Sequence, residues 1–209
     1  MIKKQCVSFR DFLATGVLGP LSPDMKLADV AKVLGSPDGW NVEEDDLVPV
    51  YWFFGKLEIS FDCIPPYPLN WFQIEDASRL KGQHESLTAS LKMSLDGITG
   101  VTRPSEFLSA GLWDPKLTTV YFSGLGDDIL LNVCAGRVQI HFQVDTSFIG
   151  DGQSIQYLNK TTPPRIARDI DCRTKVDSIY SYPRPAAEEV PGAVNWRSLT
   201  GQDYLDMLR

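Results

Sequence analysis

Histidine is nearly missing from this chain: among 209 residues there are two, His84 and His141. Cysteine is sparse as well, and Cys6, Cys63, Cys134 and Cys172 stand far apart with no C-x-x-C pair. Zinc sites draw ligands from such close pairs, because one knuckle must present two thiolates to a tetrahedral ion. No metal centre is expected. Nucleophilic catalysis needs a Ser or Cys beside a base, and the two isolated histidines leave few candidates. No G-x-S-x-G elbow is present. Gly124-Leu-Gly-Asp-Asp lacks both the third glycine of a dinucleotide fingerprint and the Lys-Ser/Thr of a P-loop, and it reads as a hairpin turn. No catalytic residue and no cofactor is assigned.

Long hydrophobic runs are absent too. Nothing approaches the ~20 apolar residues of a membrane span. After Lys3-Lys4, Arg10 and Asp11 arrive before the apolar core of a signal peptide could form. The chain is therefore expected in the cytoplasm, without a membrane partner. Positive charge is also in deficit. Twenty Lys and Arg against 27 Asp and Glu leave a net −7, the wrong sign for a nucleic-acid binder. What is present is a 43% hydrophobic, 11% aromatic composition, ample for a buried core and incompatible with wholesale disorder.

Helical spacing appears first at Phe9, Phe12 and Leu13, with Ser8 as cap and a stop near Gly16. A second helix carries Leu27, Val30 and Leu34. Ser22 or Asp24 is placed to cap it, Gly35 to end it and Pro37 to prevent its resumption. Tyr51-Trp-Phe-Phe reads as a buried strand. Leu57, Ile59 and Phe61 alternate with polar residues as a half-buried one, and Trp71-Phe-Gln-Ile-Glu closes a meander. Leu87, Leu91 and Leu95, four apart, predict a helix over 84–96, and Phe107-Leu108 with Leu112-Trp113 predict another. Strands follow at 118–122, 129–134, 138–144 and 154–158. Cys63 and Cys134, in or beside these runs, read as small buried hydrophobes.

The two strand clusters are alike. Phe54-Gly-Lys-Leu-Glu-Ile-Ser-Phe-Asp matches Ala135-Gly-Arg-Val-Gln-Ile-His-Phe-Gln, each an apolar strand, Gly plus a basic residue, then an alternating strand ending in Phe. His141 falls on the polar side of that alternation, with Gln139 and Gln143, and reads as a solvent-facing strand position. Residues 161–209 are punctuated by prolines and carry seven basic and seven acidic residues, so the net charge lies in residues 1–160.

Four adjacent acids, Glu43, Glu44, Asp45 and Asp46, lie in a loop flanked by Trp40 and Trp52. They are too contiguous for a metal cage. An acidic patch steers a basic partner and sets specificity, and neighbouring tryptophans supply anchors. These six residues are the candidate partner-binding site.

Met25, Val30, Leu34-Gly35, Pro37 and Gly55-Lys-Leu-Glu58 together form a helix, a Leu-Gly-x-Pro stop and a β-meander. Over residues 18–76 the pattern resembles small bacterial immunity proteins encoded beside polymorphic toxins, and more loosely the SmpA/BamE outer-membrane assembly lipoproteins. The chain departs from the latter in showing no signal sequence or lipidation site. The resemblance implies a non-enzymatic protein that binds and neutralises a cognate toxin. The alternatives are another protein-binding or scaffold module, in host–pathogen contact or envelope assembly, or an enzyme using His141. The expected fold is α+β, short helices on mainly antiparallel meanders. The strand clusters allow either two similar sub-domains or one extended sheet. Residues 1–80 would form a helix-helix-meander unit, 81–160 a second helix-plus-meander unit, and 161–209 a tail packing on the body.

Overall fold

A computed structural model describes residues 4–42, 48–185 and 194–209. In chain order these form β1 (Gln5–Ser8), α1 (Phe9–Thr15), α2 (Leu27–Leu34), β2 (Gly39–Asn41), β3 (Tyr51–Phe54), β4 (Leu57–Phe61) and β5 (Leu69–Ile74). After a 3-10 turn at Ala77–Arg79 come β6 (His84–Ser86), β7 (Leu91–Ser94), α3 (Pro104–Ser109), β8 (Thr119–Leu125), β9 (Asp128–Ala135) and β10 (Val138–Val144). The remainder is α4 (Ser154–Lys160), α5 (Pro163–Asp171), β11 (Thr174–Ser181), β12 (Val194–Thr200) and α6 (Gly201–Leu208). The fold is α+β, as the local alternation predicts.

A nine-stranded sheet runs in the order β12-β8-β9-β10-β11-β5-β4-β3-β2, with every pairing antiparallel. Set β12 aside and it is two four-stranded meanders, β2–β5 and β8–β11, meeting last strand to last strand. The sequence match at Phe54 and Ala135 falls on the two equivalent hairpins, β3–β4 and β9–β10. Each turns on a glycine at the first loop position, Gly55 at φ 58° and Gly136 at φ 56°, a backbone region that a side chain would strain. From the segment after residue 160 come α5, α6 and β12, and also β11, whose pairing with β5 brings both strand clusters into one sheet. A smaller sheet, β1-β7-β6, pairs β1 with β7 in parallel.

Every helix contributes to one core. Phe12 of α1, Val30 of α2, Phe107 of α3, Leu158 of α4, Ile166 of α5 and Tyr204 of α6 are buried in the same cluster as Ile59, Phe72, Phe122, Val133, Ile140 and Ile179 of the large sheet. Phe12 meets Phe72 at 5.7 Å, and Phe107 meets Phe142 edge-on at 5.8 Å. At the C-terminal end of α5 the carboxylate of Asp171 ties three helices together. It accepts from the Ser105 amide (3.0 Å) and hydroxyl (2.7 Å) of α3 and from the Tyr204 hydroxyl of α6 (3.1 Å).

Four sequence expectations change. The helix over 84–96 is β6 and β7, and the strand at 154–158 is α4. The helix at Leu27 has no side-chain cap from Ser22 or Asp24. Its lead-in is held extended, because the Met25 carbonyl accepts from Leu69 and Lys26 bridges to Pro68. Cys63 is exposed, whereas Cys134 is buried.

Candidate functional site

With the helices gathered on one face, the other face of the large sheet is lined by its own side chains. Directly paired residues share a face, so register identifies them. Gln73 lies opposite both Glu58 and Tyr180. Tyr180 lies opposite Gln139, and His141 lies opposite Ser178 and Asn132. Glu75, two residues beyond Gln73, returns to the same side. The seam where β5 meets β11 thus runs through the middle of this face.

Aromatic rings cross the seam in a row. Tyr51 lies 6.3 Å from Trp71, Trp71 meets Tyr180 edge-on at 5.4 Å, and Tyr180 lies 4.7 Å from the His141 ring. Tyr182 stacks on Tyr180 at 5.9 Å. All are partly buried rather than open, because each shelters the next. Amides fill the gaps beneath them: Gln73, Gln139 and Asn132 are buried.

The charge on this face is acidic. The Gln73 amide donates to Glu58, yet its Oε1 is buried without a partner. Burial raises the Glu75 carboxyl above its ordinary pKa, and the adjacent Glu58 raises it further. Among the described residues neither glutamate is in an ion pair. Lys56, at the nearby hairpin turn, pairs with Glu85 at 3.1 Å. Lys175 sits towards the far end of β11, opposite Gln143.

His141 lies on the face the alternation gives it, with Gln139, but it is not the open, solvent-facing position expected. Its ring is half-buried and its Nε2 is enclosed without a hydrogen-bond partner. Burial lowers its pKa to about 4, against a smaller opposing pull from Asp177. Beside it opens a cleft of about 300 Å³ lined by Asn132, Asp177, Leu125 and Leu130 among others. Cys134 is not among its lining residues, and burial pushes the Cys134 thiol up to about 12. A neutral imidazole with so low a pKa is a weak base near pH 7, and that thiol is not a ready nucleophile.

The sequence-predicted residues divide. Trp40 lies on the edge strand β2 and is 59% exposed, next to Val42 at 51%. Trp52, opposite it in register, is only 9% exposed and packs edge-on against Phe54 and Phe61. It anchors the strand and offers no contact surface. Glu43, Glu44, Asp45 and Asp46 lie outside the described residues. The acidic, aromatic face at the β5–β11 seam was not singled out from the sequence. The polar members of its alternating strands were the available signal, and the pairing that unites them comes from β11. Among the described residues no helix is long and apolar enough to cross a membrane. Nor does any group of three or more His, Cys, Asp or Glu stand ready for a metal.

Comparison of the chain with known protein families, with curated proteins and with solved structures gives no match.

Proposed function

We propose that this chain is a non-enzymatic immunity protein that neutralises a bacterial toxin by direct contact, docking it on the acidic, aromatic face of the large sheet. The observation that carries the reading is that face itself. It is a row of rings with carboxylates that form no ion pair among the described residues, on a protein of net charge −7, which is the composition of an electrostatically steered interface with aromatic anchors. The resemblance over residues 18–76 supports the same reading. So does the state of the two candidate catalytic groups, a weakly basic His141 and a buried, protonated Cys134. The exposed Trp40 pairs with the buried Trp52 on the helix-bearing side of the sheet and lies outside this docking face.

The test is capture of partners by tagged protein from its native cells at low and high salt, with identification by mass spectrometry. The expected result is a stoichiometric partner carrying a toxin domain, whose recovery falls as salt rises, and whose toxicity is suppressed by co-expression. Loss of both capture and protection in a Trp71→Ala, Tyr180→Ala double variant that still folds assigns the contact to this face. A toxin captured and neutralised equally by that variant overturns the assignment, and no toxin-bearing partner at either salt overturns the function.

A further inference from the structure

The cluster formed by Glu58, Gln73 and Glu75 is rich in acceptors, and among the described residues none of its members is in an ion pair. Glu58 lies opposite Gln73 in the β4–β5 pair, and Glu75 follows on the same side. Gln73 is 7% exposed, and its amide head lies in the cluster with Nε2 donating to Glu58 and Oε1 left without a donor. A buried carbonyl oxygen without a partner is costly, and crowding two partly buried carboxylates side by side adds to that cost. Both costs are removed by one visitor that brings positive charge and several donors.

Trp71 and Tyr180 narrow the choice of visitor. Gln73 lies beside Tyr180 across the seam, and Trp71 meets Tyr180 edge-on at 5.4 Å. A divalent metal asks for about six oxygen ligands and gains little from rings. A guanidinium is planar, carries five donors and no acceptor, forks onto carboxylates and stacks on aromatic faces. The geometry points to this cluster as a receptor for an arginine side chain of the protein partner, held between the Glu58 and Glu75 carboxylates and Gln73 Oε1 beside the Tyr180 and Trp71 rings. The inference rests on the docking face proposed above and names the chemistry that the face recognises.

Arginine amide titrated into isotope-labelled full-length protein at low salt is the direct probe, read by NMR. The expected result is saturable shifts centred on the Gln73 side-chain amide, Tyr180 and the Trp71 indole. Citrulline amide, of the same shape but with an uncharged side chain, is expected to give none. Lysine amide is expected to bind more weakly. Glu58→Gln and Glu75→Gln should each weaken arginine amide by about tenfold, the scale of one charge-assisted hydrogen bond. Equal responses to arginine and citrulline, shifts mapping elsewhere, or Ca²⁺ competing arginine away at lower concentration would each overturn the site, and none of the three needs a variant. The two proposals fail separately. A captured toxin that binds Glu58→Gln and Glu75→Gln protein with unchanged affinity removes the arginine receptor and leaves neutralisation standing. Arginine binding at this face without any toxin partner does the reverse.

Discussion

The clearest energetic consequence of the seam lies in His141. In the unfolded chain an imidazole titrates near 6.5, whereas in the fold burial holds its pKa at about 4. Between those values the unfolded state binds a proton that the folded state refuses. Stability therefore rises with pH across this window and is lost as pH falls from about 6.5 to about 4. Each pH unit is worth about 1.4 kcal/mol, so the whole window is worth about 3 kcal/mol, a large share of the 5–15 kcal/mol that holds a typical domain together. Replacing His141 by Gln keeps a polar side chain of similar size and removes the titration. Urea unfolding at pH 7 and pH 4 is the assay. Other groups titrate in both proteins, so the quantity to read is how much more stability the wild type loses than His141→Gln, expected near 3 kcal/mol. With a slope of about 2–3 kcal/mol per molar urea, that is a difference in midpoint shift of about 1 M. An imidazole titrating near 6.5 by NMR in the folded protein would refute the buried reading. So would equal losses in the two proteins.

Three further outcomes follow from the packing. Asp171→Ala strips the partner from three donors on α3 and α6 and should cost about 3 kcal/mol or more. Tyr204→Phe, removing one of them, should cost about 1 kcal/mol, and thermal unfolding separates the two. Gly100→Ala would place a Cβ 2.3 Å from the Ser78 carbonyl oxygen and 2.4 Å from that of Ala77. Gly100 cannot retreat, since its N–H donates to Leu80 and its carbonyl accepts from Val176 of β11. A loss above about 2 kcal/mol is expected in denaturant unfolding, and a neutral result would mean the approach is looser than described. Glu75 has a raised pKa in the fold, so its stabilising contribution is present below its unfolded value and lost as pH rises. Glu75→Gln should accordingly raise the melting temperature at pH 7, with the gain shrinking towards pH 4.

Legibility in the sequence tracked how local each signal was. Ser8 and Gly16 bracket α1 as read, with the Ser8 hydroxyl accepting from the Asp11 amide and the Gly16 N–H bonding back to Phe12. The hairpins β3–β4 and β8–β9–β10 were plain from alternation and turn glycines. Failures came where one spacing fits two structures. Residues four apart share a face in a strand as well as in a helix. Leu87, Leu91 and Leu95 therefore mimicked a helix, although Leu91, Met93 and Leu95 alternate inward in an extended segment. The strand expected at 154–158 failed in the opposite sense, since Ser154 and Leu158 are the buried side of a helix. Pro163 and Pro164 read as punctuation but occupy the first turn of α5, where proline loses no hydrogen bond. β11 was hidden by its bulge opposite His141 and Phe142, which breaks the alternation midway. The candidate face was missed for the same reason, since Tyr180 reaches Gln73 and His141 only through that strand.

The placement of β11 also sets the order of events during synthesis. Strands β2–β5 and β8–β10 leave the ribosome before β11, and until it arrives β5 and β10 each carry an unpaired edge, the kind of surface that invites pairing with other chains. Closing the sheet requires contacts between segments distant in the chain, which is slow. The same step brings Tyr180 beside Gln73. A chain interrupted before residue 174 therefore holds neither a finished sheet nor the proposed docking face, so binding through that face would require a molecule that has completed folding.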